Sequence, residues 1–142
     1  MAKTIDVDVV SAEESIYTGS AAAVFAPAEL GEVGIYPRHS PLVTRLEPGE
    51  VRVDTPDGEE HHIYVSGGIL EVQPHIVTIL ADTAIRAKDI DEAAAEAAKS
   101  RAEEAIANMK SDIDYARARS ELLQALAQLR TLQRLRQGIR TM

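Results

Sequence analysis

Turn-forming residues are confined to one half of this chain. Its six prolines (Pro27, Pro37, Pro41, Pro48, Pro56 and Pro74) and seven of its eight glycines precede residue 75, and only Gly138 follows. Frequent Pro and Gly interrupt helices but suit short strands joined by tight turns. The long stretch without either suits helices. The chain therefore divides near Arg86-Ala87-Lys88-Asp89 into a β half, residues 1–88, and a helical half, residues 89–142.

In the first half, Ile5, Val7 and Val9 alternate with Asp6 and Asp8, the period-two signature of a half-buried strand. Val51-Arg52-Val53-Asp54 and Ile63-Tyr64-Val65 flank the turn Thr55-Pro56-Asp57-Gly58, where Pro presets φ and Gly accepts a positive one. Ile69–Val72 and Ile76–Leu80 form a second hairpin around Gln73-Pro74-His75. Closely spaced short strands of this kind predict an antiparallel sandwich or barrel.

The second half predicts a two-helix hairpin. Asp89-Ile90-Asp91-Glu92 has the spacing of a capping box, with Asp89 as cap, and the run to Met109 is rich in alanine. Ala93, Ala97, Ala98, Ala102 and Ala105, joined by Ile106 and Met109, mark its apolar face. Ser111 or Asp112 can cap the next helix, which repeats leucine at 122, 126, 129 and 132 and should stop about Gln137, where Gly138 can end it. The lengths come to about 28 and about 37 Å. An alanine face buries little, so the hairpin is expected to be weakly held and able to undock at a cost of a few kcal/mol.

Charge excludes several functions. Twenty-three acids against 15 bases give −8, which opposes generic binding to nucleic acid or anionic membranes. Residues 89–114 hold 8 acids and 3 bases, whereas residues 115–142 hold 6 arginines and one acid, so the helices can attract each other. The arginines near the end exceed what that pairing needs. They are either solvated decoration favoured by the helix dipole or a contact for an acidic protein partner.

Without cysteine, disulfides, thiolate catalysis and Cys-ligated zinc are excluded. The acidic turn at Asp6 argues against a signal peptide, and the longest uncharged run, Ser15 to Ala28, is too short and broken to span a bilayer. Gly31-Glu32-Val33-Gly34 and Ser66-Gly67-Gly68 lack the Lys-Ser/Thr of a phosphate loop and read as turn or bulge glycines. His61 and His62, adjacent in a strand, point to opposite faces and read as exposed strand histidines. No serine lies in a nucleophile elbow, so no catalytic residue, metal site or cofactor is expected. The loop Gly34–Leu42, stiffened by Pro37 and Pro41 around Arg38 and His39, is either a docking element or a rigid strand connection.

Taken together, the chain resembles the ε subunit of bacterial F-type ATP synthase. The resemblance runs through Asp8–Glu13, Gly31–Leu42, Pro48-Gly49, Tyr64–Val72, Ala81–Ala84, Asp112–Ala116 and Ala127–Arg130. It implies an α+β fold, an N-terminal antiparallel β-sandwich followed by a C-terminal antiparallel helical hairpin. It also implies a noncatalytic stalk subunit that couples proton translocation to ATP synthesis by linking the γ subunit and the c ring. The helices would extend into the catalytic head of α and β subunits and inhibit ATP hydrolysis. Glu32 would meet the c ring, and the loop with Tyr36, Pro37, Arg38 and His39 would face γ. Arg130, Arg134, Arg136 and Arg140 would reach an acidic segment of the β subunit. Membrane association, at the cytoplasmic face of the bacterial inner membrane, would be through the complex alone.

Some members of this family bind ATP through an Ile/Leu-Asp-x-x-Arg-Ala motif. Here Ile90-Asp91-Glu92-Ala93-Ala94-Ala95 has Ala94 in place of the arginine, leaving Asp91, Arg101 and Arg130 as weak phosphate partners. Nucleotide binding is therefore expected to be weak or absent. The alternative function is a free-standing ATP-sensing module that uses the hairpin.

Overall fold

The computed structural model describes residues 3–108 and 112–141, with side chains as far as residue 137; Met109, Ser111 and the side chain of Arg140 lie outside the described residues. Ten strands run through the first half: β1 (Ile5–Ser11), β2 (Ser15–Ala21), β3 (Ala23–Ala28), β4 (Gly31–Ile35), β5 (Leu42–Leu46), β6 (Gly49–Asp54), β7 (Glu60–Val65), β8 (Gly68–Val72), β9 (Ile76–Ala81) and β10 (Ala84–Arg86). They form one sheet in the order β10-β7-β6-β3-β5-β8-β9-β1-β2, with β4 paired to β3. The sheet folds on itself, and the Arg86 Nε–H donates to the Ile16 carbonyl at 3.2 Å across the remaining gap between β10 and β2.

The alternation expected of the first strand is present, with Ile5, Val7 and Val9 inside and Asp6 exposed. Both expected hairpins are also present: Val53 pairs with His61, and Val72 with Val77. Gly58, at φ 92°, donates its N–H to Thr55 O within the first turn. One pairing departs from an antiparallel pattern: β1 runs parallel to β9, with Val7 opposite Val77. The interior is aliphatic, built from Ile5, Val24, Ile35, Val51, Leu70, Ile79 and their neighbours, and lies wholly within the strands.

The chain turns out of β7 into β8 through Ser66-Gly67-Gly68. Gly68 sits at φ 138°, and a Cβ there would lie 2.1 Å from the Leu80 carbonyl oxygen. That oxygen belongs to the adjacent strand and cannot retreat without breaking the β8–β9 ladder. Gly68→Ala should therefore cost about 2 kcal/mol of sandwich stability, seen as a lower thermal midpoint.

A single 3-10 turn, Ala87–Asp89, leads to α1 (Glu92–Ala107) and α2 (Asp112–Thr141). Because that turn takes up Asp89, the cap is Asp91, whose Oδ1 accepts from the Ala94 N–H at 3.1 Å. The second helix also runs through Gly138 instead of ending there. A helical glycine costs about 1 kcal/mol but forfeits no backbone hydrogen bond, so without a competing cap the helix continues.

The face of α1 differs from the one expected. Ala95 and Ala102 are buried, Ala98 and Ile106 are half-buried, and Ala93, Ala97 and Ala105 are exposed. Alanine all round gives the helix little amphipathic bias, so its partner decides which face is buried. That partner is α2, where Ala118 and Ala125 repeat the seven-residue spacing of Ala95 and Ala102. In turn α2 packs against β6, β7 and the 3-10 turn. It covers the outer side of β7 at Tyr64, which clusters with Ile90, Ala127 and Leu132.

Candidate functional site

Two surfaces carry the residues singled out from the sequence, and they lie on different sides of the sandwich. The first is the outer face of β5, β8, β9 and β1. On β5, β8 and β9, Val43, Ile69 and Leu80 are exposed by 71%, 47% and 50%. Ile69 is registered opposite Leu80 on one side and Arg45 on the other, with Val43 one pleat away beside Glu71. Residues two apart on a strand share a face, so the three form one apolar patch edged by Arg45 and Glu71.

The Tyr36–His39 loop adjoins this face. Tyr36 is 57% exposed and meets Phe25 edge to face, with ring centroids 6.1 Å apart. Arg38 adopts φ 66°, unusual for a side-chain-bearing residue, and its N–H donates to Pro74 O at 2.9 Å. The His39 N–H donates to Tyr36 O, and the His39 Nδ1 is bonded to the Ser40 carbonyl at 2.7 Å. The loop is thus tied to the β8–β9 turn, and the exposed Arg38 side chain is presented on a fixed backbone.

Glu32 stands apart from that loop. It is the second residue of β4, after the fully exposed Leu30 and after Gly31, whose φ of 127° makes the hairpin turn. The Glu32 side chain is exposed and lines an open cleft of about 370 Å³ with Glu50, Arg52, Glu60, His62, Arg134 and Gln137.

The second surface is this cleft and the helix above it. Arg134 of α2 lies 3.7 Å from Glu50 Oε1, and Arg136 grips Glu92 through both nitrogens, at 3.1 and 2.5 Å. The Arg136 guanidinium, by donating to Glu92, holds that carboxyl below its ordinary range. Two of the expected partner-facing arginines are therefore engaged within the chain while the hairpin is docked; Arg130 is exposed.

The three candidate phosphate partners are not gathered at one cleft. Asp91 caps α1, whereas Arg101, ten residues further on and so about 15 Å along the helix, lines a cleft with Glu104, Asn108, Asp114 and Arg117. Neither Asp91 nor Arg130 lines that cleft. Among the described residues, no three of His, Cys, Asp or Glu are grouped to hold a metal ion.

His62 overturns an expectation. The neighbouring histidines do point to opposite sides of β7, with His61 tilted against Tyr17 at 5.0 Å. But the His62 side chain is only 5% exposed, bonded to Glu50 at 3.0 Å and to Glu60 at 3.2 Å. Helix α2 buries what an uncovered sheet would leave in water. The signal was present in Ile63-Tyr64-Val65, since a strand apolar on both faces must be covered on both.

The family model described as ATP synthase, delta/epsilon chain, beta-sandwich domain matches residues 4–87, and its long alpha-helix counterpart matches residues 88–133. The ATP synthase epsilon chain of Nitrosococcus oceani is 63% identical over 139 residues, covering 98% of this chain and 99% of that protein. The chain belongs to the epsilon-subunit family of bacterial F-type ATP synthases. The epsilon chain of Thioalkalivibrio sulfidiphilus is 62% identical, covering 99% of this chain and all of that protein (100%). Among solved structures, a chain of the Euglena gracilis mitochondrial ATP synthase OSCP/F1/c-ring assembly superposes with a TM-score of 0.82 at 21% identity, covering 91% of this chain and 81% of that one. A chain of the Tetrahymena thermophila mitochondrial ATP synthase central stalk and c-ring gives 0.64 at 12% identity, covering 93% and 99%. At those identities the two structures bear out the fold, a β-sandwich followed by two helices.

Proposed function

We propose that this chain is a noncatalytic central-stalk subunit that couples proton translocation to ATP synthesis by joining the γ subunit to the c ring. The uncovered apolar face of β5, β8 and β9 carries the reading, because the hairpin covers the β6–β7 face and leaves this one for a partner. Its patch of Val43, Ile69 and Leu80, with the rigid Tyr36–His39 loop beside it, suits the γ subunit. The β3–β4 hairpin tip, with Leu30 and Glu32, meets the c ring. None of the described helices is long and apolar enough to cross a membrane. The complex holds the chain at the cytoplasmic face of the inner membrane.

The helices inhibit ATP hydrolysis by leaving the sandwich and entering the head of α and β subunits, where Arg130, Arg134, Arg136 and Arg140 meet acidic side chains of β. Undocking is energetically accessible. Leaving the sandwich breaks one small cluster, Tyr64 with Ile90, Ala127 and Leu132, and the Arg134–Glu50 approach. The alanine seam of α1 with the exposed, screened Arg136–Glu92 pair then lets the two helices separate.

The test is to add the full chain, or residues 1–88, back to a catalytic head lacking this subunit. The truncated form retains the whole interior cluster of the sandwich. Both should rebind, and only the full chain should lower the rate of ATP hydrolysis. If neither rebinds, the stalk assignment fails; if both rebind and neither inhibits, the regulatory part fails alone.

A further inference from the structure

Among the described residues, one acidic side chain is buried in the sandwich–hairpin interface. It is the Glu50 carboxylate, 3% exposed, on the outer side of β6 beneath α2. Its Oε1 faces His62 Nδ1 at 3.0 Å and Arg134 at 3.7 Å, and its Oε2 is buried without a hydrogen-bond partner among the described residues. The other ring nitrogen of His62, Nε2, faces Glu60 Oε2 at 3.2 Å. Both nitrogens of one imidazole thus point at carboxylates.

A neutral imidazole has one N–H and one lone pair, so it can donate to only one of them. The other contact then becomes lone pair against lone pair. With both carboxylates ionised, only the imidazolium, with two N–H groups, donates to Glu50 and Glu60 at the same time. We propose that His62 is a protonation-controlled latch: as imidazolium it holds the helical hairpin docked over Glu50, and loss of its proton releases the hairpin from the sandwich.

The surrounding charges are consistent with this. Glu50 from β6 and Glu60 from its own strand face the ring, and Arg52 from β6, Glu32 from β4 and Arg134 from α2 line the same cleft. Arg86 and Lys88 line the cavity on its other side. Arg52 is engaged by Asp54 at 3.0 Å and lies over the Phe25 ring. Arg86 is shared between Asp89 and the Ile16 carbonyl. That leaves Arg134 as the cation nearest Glu50 when the ring is neutral, and Glu50 with Glu60 outnumbers it.

When α2 departs, water reaches Glu50 and His62, and their pairing becomes an ordinary screened surface contact. With a neutral ring, docking covers Glu50 and Glu60 against the single Arg134 cation. Water solvates that excess negative charge once α2 has left, so the docked state binds the His62 proton more tightly. In the docked chain the hydrogen bond to Glu50, reinforced by the charges of Glu50 and Glu60, holds His62 above its ordinary value against the opposing effect of burial. Docking therefore has its full strength below the ordinary histidine range and weakens as pH rises through the raised value. By reciprocity, a partner that holds the helices away from the sandwich lowers the proton affinity of His62.

The latch rests on the reading that the hairpin leaves the sandwich, and the test separates the two. The chain has no cysteine, so Glu13→Cys and Ser100→Cys accept a fluorescence donor and acceptor uniquely on sandwich and helix. Energy transfer is measured in the otherwise intact isolated chain from about pH 5.5 to about pH 9, spanning the ordinary histidine value of ~6.5. The docked-to-undocked ratio should fall by up to about tenfold per pH unit through the transition.

His62→Gln should flatten that dependence. Glu60→Gln, at a half-exposed position, should leave the fold intact. Its amide can donate to a neutral Nε2, so the transition should move to lower pH or vanish. Undocking that rises equally with pH in wild type and both variants overturns the latch, as does undocking independent of pH. Transfer that never changes, even in Tyr64→Ala, overturns the latch and the mobile-hairpin reading together.

Discussion

Replacing Val43 and Ile69 together by aspartate should weaken binding of this subunit to the rest of the complex by about a thousandfold. The two side chains lie on one outer face of the sandwich, exposed by 71% and 47%, so the isolated protein loses almost nothing when they become charged. In a docked interface each carboxylate would be stripped of water opposite an apolar surface. An unpaired charge of that kind costs about 2 kcal/mol or more, even after partial relaxation. Affinity, measured by titrating the labelled chain into a head lacking it, should collapse while the thermal midpoint stays at the wild-type value. Unchanged affinity would place the docking face elsewhere on the sandwich. Glu59→Gln, in the exposed β6–β7 turn and outside that face, is a suitable control, since it disturbs only a surface contact with His61 at 3.7 Å.

The second large effect concerns the attachment of the helices. Tyr64 is 1% exposed, yet it projects from the outer side of β7 and lies in the cluster with Ile90, Ala127 and Leu132, not in the sandwich interior. Its hydroxyl is hydrogen-bonded with Gln128, and burial pushes the phenol above its ordinary value. Truncation of a buried aromatic costs about 4 kcal/mol. Here that loss falls on docking. Tyr64→Ala should release the hairpin, with amide protection in α1 and in the second half of α2 dropping more than a hundredfold, while β1, β8 and β9 keep theirs. Uniform loss of protection would instead show that sandwich and helices unfold as one unit.

Under the inhibitory reading, Tyr64→Ala has a functional consequence opposite in sign to that of a helix deletion. A hairpin that has lost its resting place competes less with itself for the catalytic head, so hydrolysis should be inhibited more strongly than by wild type. Equal inhibition by both forms would mean that docking on the sandwich does not limit entry into the head.

Local rules already determined much of this protein. Alternation at Ile5, Val7 and Val9, the Pro56–Gly58 and Pro74 turns, and the long run without Gly or Pro place strands, hairpins and helices without knowledge of any contact. Each depends on conformations within a few residues of chain, which the side chains there largely decide. The loop around Tyr36–His39 was likewise visible, as two prolines flanking a basic centre between strands, whereas Glu32 was singled out by the family resemblance alone. Strands such as β3, with Pro27 and four alanines or valines around Phe25, were not, because their pattern is not alternating and pairing alone makes them strands.

Other features exist only in the folded chain. The parallel match of β1 with β9 joins segments some 70 residues apart, and no local pattern encodes a partner at that distance. The buried face of α1 follows α2 because alanine on every side expresses no preference of its own. The fate of His62 and Glu50 is the clearest case. Each is a polar residue on the outer face of a strand, and sequence alone assigns such residues to water. Only the arrival of α2 removes that water, turning an ordinary surface pair into a buried carboxylate that must be matched charge for charge.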